Sequence, residues 1–192
     1  DRASSDDRSI VGGLGFIEGE GVVVVGQQRP LGRRGENNHM FPEGFRKAQR
    51  LMSLAARFGL PLVTLVDTRG AYPGLEAEEQ GIGNSIATTL SLMGDLKTPI
   101  VSVIIGEGGS EGALALGVAD RILMLENAVF TPISPERAAA RLYGDAGRVE
   151  DAVQALRLTA QDCLQLGIVD GVVPEPLGGA HTDRAASSAY LK

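Results

Sequence analysis

The amino-acid sequence predicts an α/β fold with a layered, partly parallel sheet. Apolar stretches typical of buried strands alternate along the chain with segments whose apolar residues recur at helical spacing. Glycine-rich turns such as "RGAYPG" and "GEGGSEG" separate strands from the helices that follow them. No long linker interrupts this alternation, so we expect a single domain over residues 10–192. Residues 1–9 are expected to form a polar N-terminal extension, disordered or part of a trimmed linker.

The first third of the chain predicts a hairpin, a helix and a buried strand. Two apolar stretches flank Glu18-Gly19-Glu20-Gly21 in "VGGLGFIEGEGVVVVGQQ", which is the pattern of a β-hairpin. A helix is predicted to begin at Phe41-Pro42-Glu43 and to end at Gly59 and Pro61. Its apolar face consists of Phe45, Ala48, Leu51, Met52, Ala55 and Phe58. The continuous apolar run "LPLVTLVDT" then predicts a strand covered on both faces.

The rest of the chain continues the alternation. A second helix is predicted over about residues 77–93. Its apolar face consists of Ile82, Ile86, Leu90 and Met93. "PIVSVII" and "RILML" predict strands on either side of a helix that opens at "ALALGVA". "TAQDCLQLG" predicts a helix with a capping box at Thr159 and Asp162 and a glycine stop at Gly167. "IVDGVV" predicts a last short strand.

Composition narrows the possible functions. The net charge of −6 argues against a nucleic-acid partner, because phosphate binding favours a basic surface. The longest apolar runs stop well short of the ~20 residues that span a membrane, so we expect no membrane association. The one cysteine, Cys163, cannot form an internal disulfide and is predicted to be a small core residue. A reducing cytoplasm is therefore the expected location.

The strand–helix junction at residues 100–118 is the most specific candidate for a functional site in the sequence. A strand that ends in glycines and opens a helix leaves backbone N–H groups without intrahelical partners, at the positive end of the helix dipole. Gly108 and Gly109 lack a Cβ atom, so an anionic oxygen could approach these N–H groups closely. The sequence therefore predicts an oxyanion hole in outline. A tight turn whose glycines serve packing alone is an equal alternative.

A serine hydrolase is the remote alternative at the same junction. Residues 108–112 match G-x-S-x-G, the pattern of a nucleophile elbow around Ser110. Asp120 and His181 would preserve the chain order of that class, and His39 is the other histidine. Such matches are frequent in a chain with 26 glycines, so the pattern is weak.

Three long stretches resemble the carboxyltransferase α subunits of bacterial acetyl-CoA carboxylases. They are "FPEGFRKAQRLMSLAARFGLPLVTLVDTRGAYPGLEAEEQG", "GEGGSEGALALGVADRILMLENAVFTPISPE" and "LTAQDCLQLGIVDGVVPEPLGGAHTD". The resemblance runs in order from about Gly12 to about Asp183 and rests on several motifs at matching spacing. It implies a crotonase/ClpP-like spiral of β-β-α units with a layered sheet and interface helices.

The resemblance implies a biotin-dependent carboxyltransferase that makes malonyl-CoA for fatty acid synthesis. The carboxyl group would pass to acetyl-CoA from carboxybiotin, which a separate biotin carboxyl carrier protein holds. A β-type partner would supply most of the acyl-CoA site and a zinc ribbon, most simply as an α2β2 assembly. This chain has no Met-Lys-Met biotin attachment sequence and no P-loop, and we expect it to be inactive alone.

The same resemblance assigns a role to the glycine pair. Gly108 and Gly109 would donate N–H groups to the oxyanion on the biotin side, and Ser110 would not be a catalyst. We therefore expect Gly109→Val to lower activity, without necessarily disturbing the strand "PIVSVII", and Ser110→Ala to cost little.

Several residues depart from the family's usual pattern. Glu111 stands where the family has glycine, Arg69 where it has proline, and Arg137 where it has a small residue. "NNHMF" replaces a glycine-containing segment. These changes leave open a divergent or fused paralogue with altered acyl-CoA choice or decarboxylase activity, and also a catalytically silent scaffold subunit.

Each of the other candidate residues also has a purely structural interpretation. Tyr72, Pro73, Gly74, Ser134 and Pro135 are candidates for substrate binding, or form plain turns. Arg29, Arg33 and Arg34 are candidates for contacts to CoA phosphates or to an acidic partner surface, or form a solvated loop. Glu76, Glu78 and Glu79 are expected to be a solvated helix start rather than a metal site, and no metal is predicted.

Overall fold

The computed structural model describes residues 6–28 and 39–191. Along these residues the strands are β1 (Ile10–Ile17), β2 (Glu20–Gln27), β3 (His39–Met40), β4 (Leu62–Thr68), β5 (Gly70–Ala71), β6 (Ile100–Gly109), β7 (Arg121–Leu125), β8 (Val129–Thr131) and β9 (Gly171–Val173). The helices are α1 (Pro42–Phe58), α2 (Leu75–Glu79), α3 (Ile82–Asp95), α4 (Ser110–Gly117), α5 (Pro135–Tyr143), α6 (Val149–Leu156), α7 (Ala160–Gln165) and α8 (Arg184–Tyr190).

The main sheet is mostly parallel, as the alternation of strands and helices predicts. Its strands follow the order β1-β2-β4-β6-β7-β9, and β8 pairs with the far end of β6. Only the β1–β2 pair is antiparallel among these pairings. The short strands β3 and β5 form a separate parallel pair. The carboxyl ends of β4, β6 and β8 therefore meet at one edge, where the loops to the following helices gather.

The predicted hairpin is confirmed. Ile17 pairs with Glu20, which leaves Glu18 and Gly19 as a two-residue turn. Both turn residues have positive φ, 51° and 89°, the conformation that matches the right-handed twist of the two strands.

The apolar face of α1 is confirmed except at its last residue. Phe45, Ala48, Met52 and Ala55 are fully buried, whereas the Phe58 side chain is 61% exposed beside the guanidinium of Arg57. Gly59 ends the helix in the left-handed conformation, as the sequence predicts. Phe58 lies one residue before this stop, where the helix has already passed the edge of the core.

The single helix predicted over residues 77–93 is wrong, because two helices occupy this region. α2 ends at Glu79 and α3 begins at Ile82, with Gly81 between them at a φ of 78°. A residue at positive φ cannot continue an α-helix, so Gly81 divides the pattern. The guanidinium of Arg46 in α1 donates to the Gln80 carbonyl oxygen at 2.7 Å and fixes this junction against α1.

The predictions at the end of the chain are mostly confirmed. The Thr159 hydroxyl accepts a hydrogen bond from the Asp162 N–H at 3.2 Å, and Gly167 has a φ of 69°. Cys163 is buried, and this burial raises the pKa of its thiol. The last strand is shorter than "IVDGVV" and covers only Gly171–Val173. No helix within residues 6–28 and 39–191 is long and apolar enough to cross a membrane.

Candidate active site

A cavity of about 450 Å³ opens at the N-terminal end of α4. Four segments that are distant in the sequence form its wall, and three of them follow the carboxyl ends of neighbouring strands. The lining residues are His39, residues 69–71 with Pro73, Glu107 with residues 109–111, and residues 131–137. This volume lies within the range typical of small-molecule sites.

The two predicted glycines occupy different places at this cavity. Gly109, the last residue of β6, lines the cavity, whereas Gly108, the residue before it, does not. A Cβ atom on Gly108 would lie 2.6 Å from the Phe130 ring, and one on Gly109 would clash with the backbone of Arg69. Packing alone therefore requires glycine at both positions. It follows that Gly109→Val would disturb the fold, contrary to our expectation from the sequence.

The start of α4 presents backbone donors at the cavity. Gly109 is the N-cap, and no side chain caps the helix there. The first-turn N–H groups, including those of Ser110 and Glu111, have no carbonyl partner within the helix and lie at the positive end of its dipole. Ser110 has a φ of 52°, so a left-handed residue makes the sharp change from strand to helix. The arrangement can hold an anionic oxygen.

The catalytic triad considered for a serine hydrolase is wrong. Asp120 accepts a hydrogen bond from the Ile100 N–H at 2.8 Å, at the opposite end of β6 from Ser110. This strand separates the two residues by about 30 Å. His181 lies in another depression, beside Glu175 and Leu177, and does not line the cavity. The Ser110 hydroxyl donates instead to the exposed carboxylate of Glu111.

His39 is a cavity residue that the sequence reasoning did not select. It pairs with Gly70 in the β3–β5 ladder, and its ring lies edge-on to Tyr72 at a centroid distance of 6.3 Å. Its Nδ1 is buried and has no hydrogen-bond partner among the described residues. Burial first, and then the nearby Arg69 and Arg137, lower the pKa of this imidazole. His39 is therefore neutral at pH 7, since its ordinary pKa is 6.5. The signal for it in the sequence was a histidine just before the start of α1.

The three charged residues that we expect to depart from the family pattern meet at the cavity. Arg69, Glu111 and Arg137 all line it, although they lie on three different segments. The Arg69 Nε lies 3.6 Å from Glu107 Oε2, and with 61% of the Arg69 side chain exposed this ion pair contributes little to stability. Guanidinium and carboxylate groups thus both line the cavity.

The predicted substrate-binding residues divide into two groups. Pro73, Ser134 and Pro135 line the cavity, and the Ser134 hydroxyl also accepts from the Arg137 N–H at the start of α5. Tyr72 and Gly74 do not line it. The Tyr72 ring stacks on Phe41 at 4.5 Å and covers the face of Gly74, where a side chain would clash with the ring. Tyr72 thus packs the loop beneath the cavity.

The remaining candidates lie elsewhere. Arg29, Arg33 and Arg34 fall outside the described residues. Glu76, Glu78 and Glu79 are exposed on α2, as a solvated helix start would be. Within the described ranges no three His, Cys, Asp or Glu side chains converge as a metal site would require.

Comparisons with known proteins bear on the family of the chain. The family model described as "Acetyl co-enzyme A carboxylase carboxyltransferase-like" matches residues 1–192. An acetyl-coenzyme A carboxylase carboxyl transferase subunit alpha from Methylobacterium sp. (strain 4-46) is 52% identical over 97% of the chain and 60% of its own length. The protein of the same name from Thermus thermophilus is 55% identical over 95% of the chain and 60% of its own length. The chain thus spans about 60% of these relatives.

Solved structures share the fold at low sequence identity. Transcarboxylase 12S, solved with methylmalonyl-coenzyme A and methylmalonic acid bound, gives a TM-score of 0.79 at 24% identity over 94% of this chain and 36% of that one. The β subunit of Pseudomonas aeruginosa geranyl-CoA carboxylase gives 0.73 at 22% identity over 87% of this chain and 34% of that one. These likenesses confirm the crotonase-like α/β fold. With the family model matching from the first residue to the last, the chain belongs to the acetyl co-enzyme A carboxylase carboxyltransferase-like family.

Proposed function

We propose that this chain is the α-type subunit of a biotin-dependent carboxyltransferase that converts acetyl-CoA to malonyl-CoA for fatty acid synthesis in the cytoplasm. The observation that carries the proposal is the cavity at the uncapped N terminus of α4, in a chain 52% identical to a relative named as a carboxyl transferase α subunit. The carboxyl donor would be carboxybiotin on a biotin carboxyl carrier protein.

The volume of the cavity and the mixed character of its wall support a binding site for the ring system of biotin. Its wall combines apolar groups, such as Ile133 and Pro135, with the hydroxyl-bearing residues Thr131 and Ser134. When bound, carboxybiotin supplies the activated carboxyl group. The part of this chain is to hold a negatively charged oxygen against Gly109 and the first-turn N–H groups of α4. One such donor typically contributes about 3–4 kcal/mol to the transition state.

The charged residues that line the cavity are compatible with this role. The Glu111 carboxylate is exposed and accepts a hydrogen bond from Ser110, so water screens its charge. It lines the cavity as a first-turn acid, which the helix dipole favours. The neutral His39 adds no charge to the interior of the site.

A β-type partner completes the proposed enzyme. Carboxyl transfer to acetyl-CoA develops negative charge at two oxygens, and the cavity at the start of α4 would hold one of them. The partner would supply the donors for the thioester oxygen, most of the acyl-CoA site and any zinc, in an α2β2 assembly. The chain by itself is then inactive.

A second candidate function is supported by the convergence of Arg69, Glu111 and Arg137 on the cavity. Three changes of charge in one site favour a divergent member with a different acyl-CoA or with decarboxylase activity. A scaffold subunit without turnover would tolerate the same changes.

Carboxyl exchange between malonyl-CoA and biocytin, measured on the chain assembled with its β-type partner, separates these functions. The proposed function requires exchange by the pair and none by the chain alone. Loss of CO2 from malonyl-CoA without biocytin carboxylation would favour the decarboxylase, and no turnover by a correctly assembled pair would favour the scaffold.

Ser110→Ala tests the assignment within the loop. We expect it to change the exchange rate by less than about threefold, because the hydroxyl donates to the exposed Glu111 carboxylate rather than to a catalytic group. A pair that loses all activity on this substitution, while melting at the temperature of the wild type, would contradict the proposed role of the loop.

A further inference from the structure

β6 carries a bulge immediately before the glycine pair. Val66 pairs with Ile104, but Thr68 pairs with Gly108, so residues 105–107 of β6 stand opposite Asp67 alone. At the same point β6 changes its other neighbour from β7 to β8. A bulge bends its strand and redirects the residues beyond it. The direction of β6 at Gly108 and Gly109, and hence the start of α4, therefore depends on the geometry of this bulge.

The Asp67 carboxylate holds the bulge. Its Oδ1 accepts a hydrogen bond from the Glu107 N–H at 3.0 Å, across the extra residues of β6. Gly106 makes this approach possible, since a Cβ atom there would lie 2.7 Å from the same oxygen. Bulges leave backbone groups without ladder partners, and a bond to a carboxylate is stronger than one between neutral groups. Asp67 thus holds β6 to β4 where the register between the two strands is broken.

The Gln27 side chain connects the end of β4 to the first turn of α4. Its side chain is buried at the end of β2, with 4% of the residue exposed. The amide oxygen accepts from the Asp67 N–H at 3.0 Å, and the amide nitrogen donates to the Gly112 carbonyl oxygen at 3.3 Å. One buried side chain therefore joins β2, the end of β4 and the first turn of α4.

We propose that Asp67 and Gln27 are positioning residues for carboxyl transfer, which set the placement of Gly109 and of the first-turn amides of α4. The inference rests on the proposed function. Neither residue lines the cavity, so both act through the backbone of Glu107 and Gly112. Donors in an oxyanion site act only within hydrogen-bond distance, and a displacement of about 1 Å can cost about a hundredfold in rate.

Asp67→Ala is compared with a control at the other end of the same strand. Asp120 makes the same kind of bond, from its carboxylate to the Ile100 N–H, but at the start of β6. In the assembled pair we expect Asp67→Ala to lower kcat for carboxyl exchange about a hundredfold, with KM for malonyl-CoA changed less than about twofold. Asp120→Ala should lower the melting temperature and leave kcat within about twofold.

A conservative variant and a second readout complete the test. Asp67→Asn keeps an oxygen that can accept the Glu107 N–H, so it should recover kcat to within about tenfold of the wild type. Hydrogen–deuterium exchange of residues 105–112 should speed up in Asp67→Ala and not in Asp120→Ala, because only the first change frees the bulge.

The possible outcomes decide between the two proposals. If Asp67→Ala and Asp120→Ala show the same kcat and the same exchange of residues 105–112, the positioning role is refuted. If Asp67→Ala does not assemble, Gln27→Met takes its place, and an unchanged kcat in that variant refutes the role equally. A wild-type pair without carboxyl exchange refutes the proposed function instead, and the deuterium measurement still tests the positioning of the loop.

Discussion

Two glycines of α4 should respond in opposite ways to the same substitution. Gly112 lies in the first turn and Gly117 is the last residue of the helix. A Cβ atom on Gly112 would lie 2.5 Å from the Gly70 carbonyl carbon and 2.7 Å from the Ala71 nitrogen, whereas one on Gly117 would meet nothing within 4 Å. Alanine adds the same methyl group and the same gain in helix propensity at each position, up to about 1 kcal/mol.

The size of the difference follows from these distances. The closest contact at Gly112 is about 0.9 Å shorter than an ordinary 3.4 Å contact, and both neighbours are backbone atoms that cannot rotate away. Such overpacking typically costs 1–3 kcal/mol, and backbone contacts under 3 Å place Gly112 in the upper part of that range, at about 2–3 kcal/mol, so Gly112→Ala should be destabilising by about 1–2 kcal/mol after the propensity gain. For a chain of this length that lowers the melting temperature by about 2–8 °C. Gly117→Ala should raise it by up to about 4 °C.

Thermal melting and urea unfolding of the two variants beside the wild type measure this difference. Equal m-values would show that the change lies in stability rather than in the unfolding mechanism. If Gly112→Ala melts at or above the temperature of Gly117→Ala, the packing of residues 70–71 against α4 is not as described.

Three further predictions concern the core and its titrating groups. Phe45→Ala should destabilise the chain by about 3–5 kcal/mol because its ring is fully buried, and Phe58→Ala by less than about 0.5 kcal/mol, as urea unfolding would show. Since the pKa of His39 is lowered in the folded state, the unfolded state binds its proton first, and stability should fall as pH decreases below 6.5. Melting curves between pH 8 and pH 5 should show this fall, and His39→Gln should reduce it. Cys163, whose thiol pKa is raised by burial, should react with iodoacetamide only after unfolding, and rapid labelling of the native chain would contradict its position.

Local signals account for the elements that the sequence predicted correctly. The Glu18-Gly19 turn, the glycine stop at Gly59 and the Thr159 cap each depend on residues within a few positions of one another. The break at Gly81 could not be predicted from such a local signal, because a glycine inside a helical pattern can either be tolerated or end the helix. The φ of 78° at Gly81 ends the pattern, and the bond from Arg46 of α1 to the Gln80 carbonyl oxygen, which is distant in the sequence, holds this junction.

The candidate site could be predicted only in part, because some of the contacts that build it have no signal in the sequence. The ends of β4 and β6 could be placed together, because neighbouring parallel strands end at the same edge of a sheet. The two-residue ladder that brings His39 beside Gly70 has no pattern of its own in the sequence. The bulge opposite Asp67 is equally hidden, since residues 105–107 look like the continuation of an apolar strand into a turn.

The glycines of the G-x-S-x-G match show why packing and chemistry are hard to separate here. Gly108 faces the Phe130 ring, and Gly112 faces the backbone of residues 70–71, so each lies where another segment leaves no room for a side chain. The same close approach builds the wall of the cavity around Gly109. A substitution at any of these glycines would therefore disturb the fold and the proposed donor site together. Only changes that leave the glycines intact, at Asp67 behind the loop and at Ser110 within it, can show whether the backbone at the start of α4 performs chemistry.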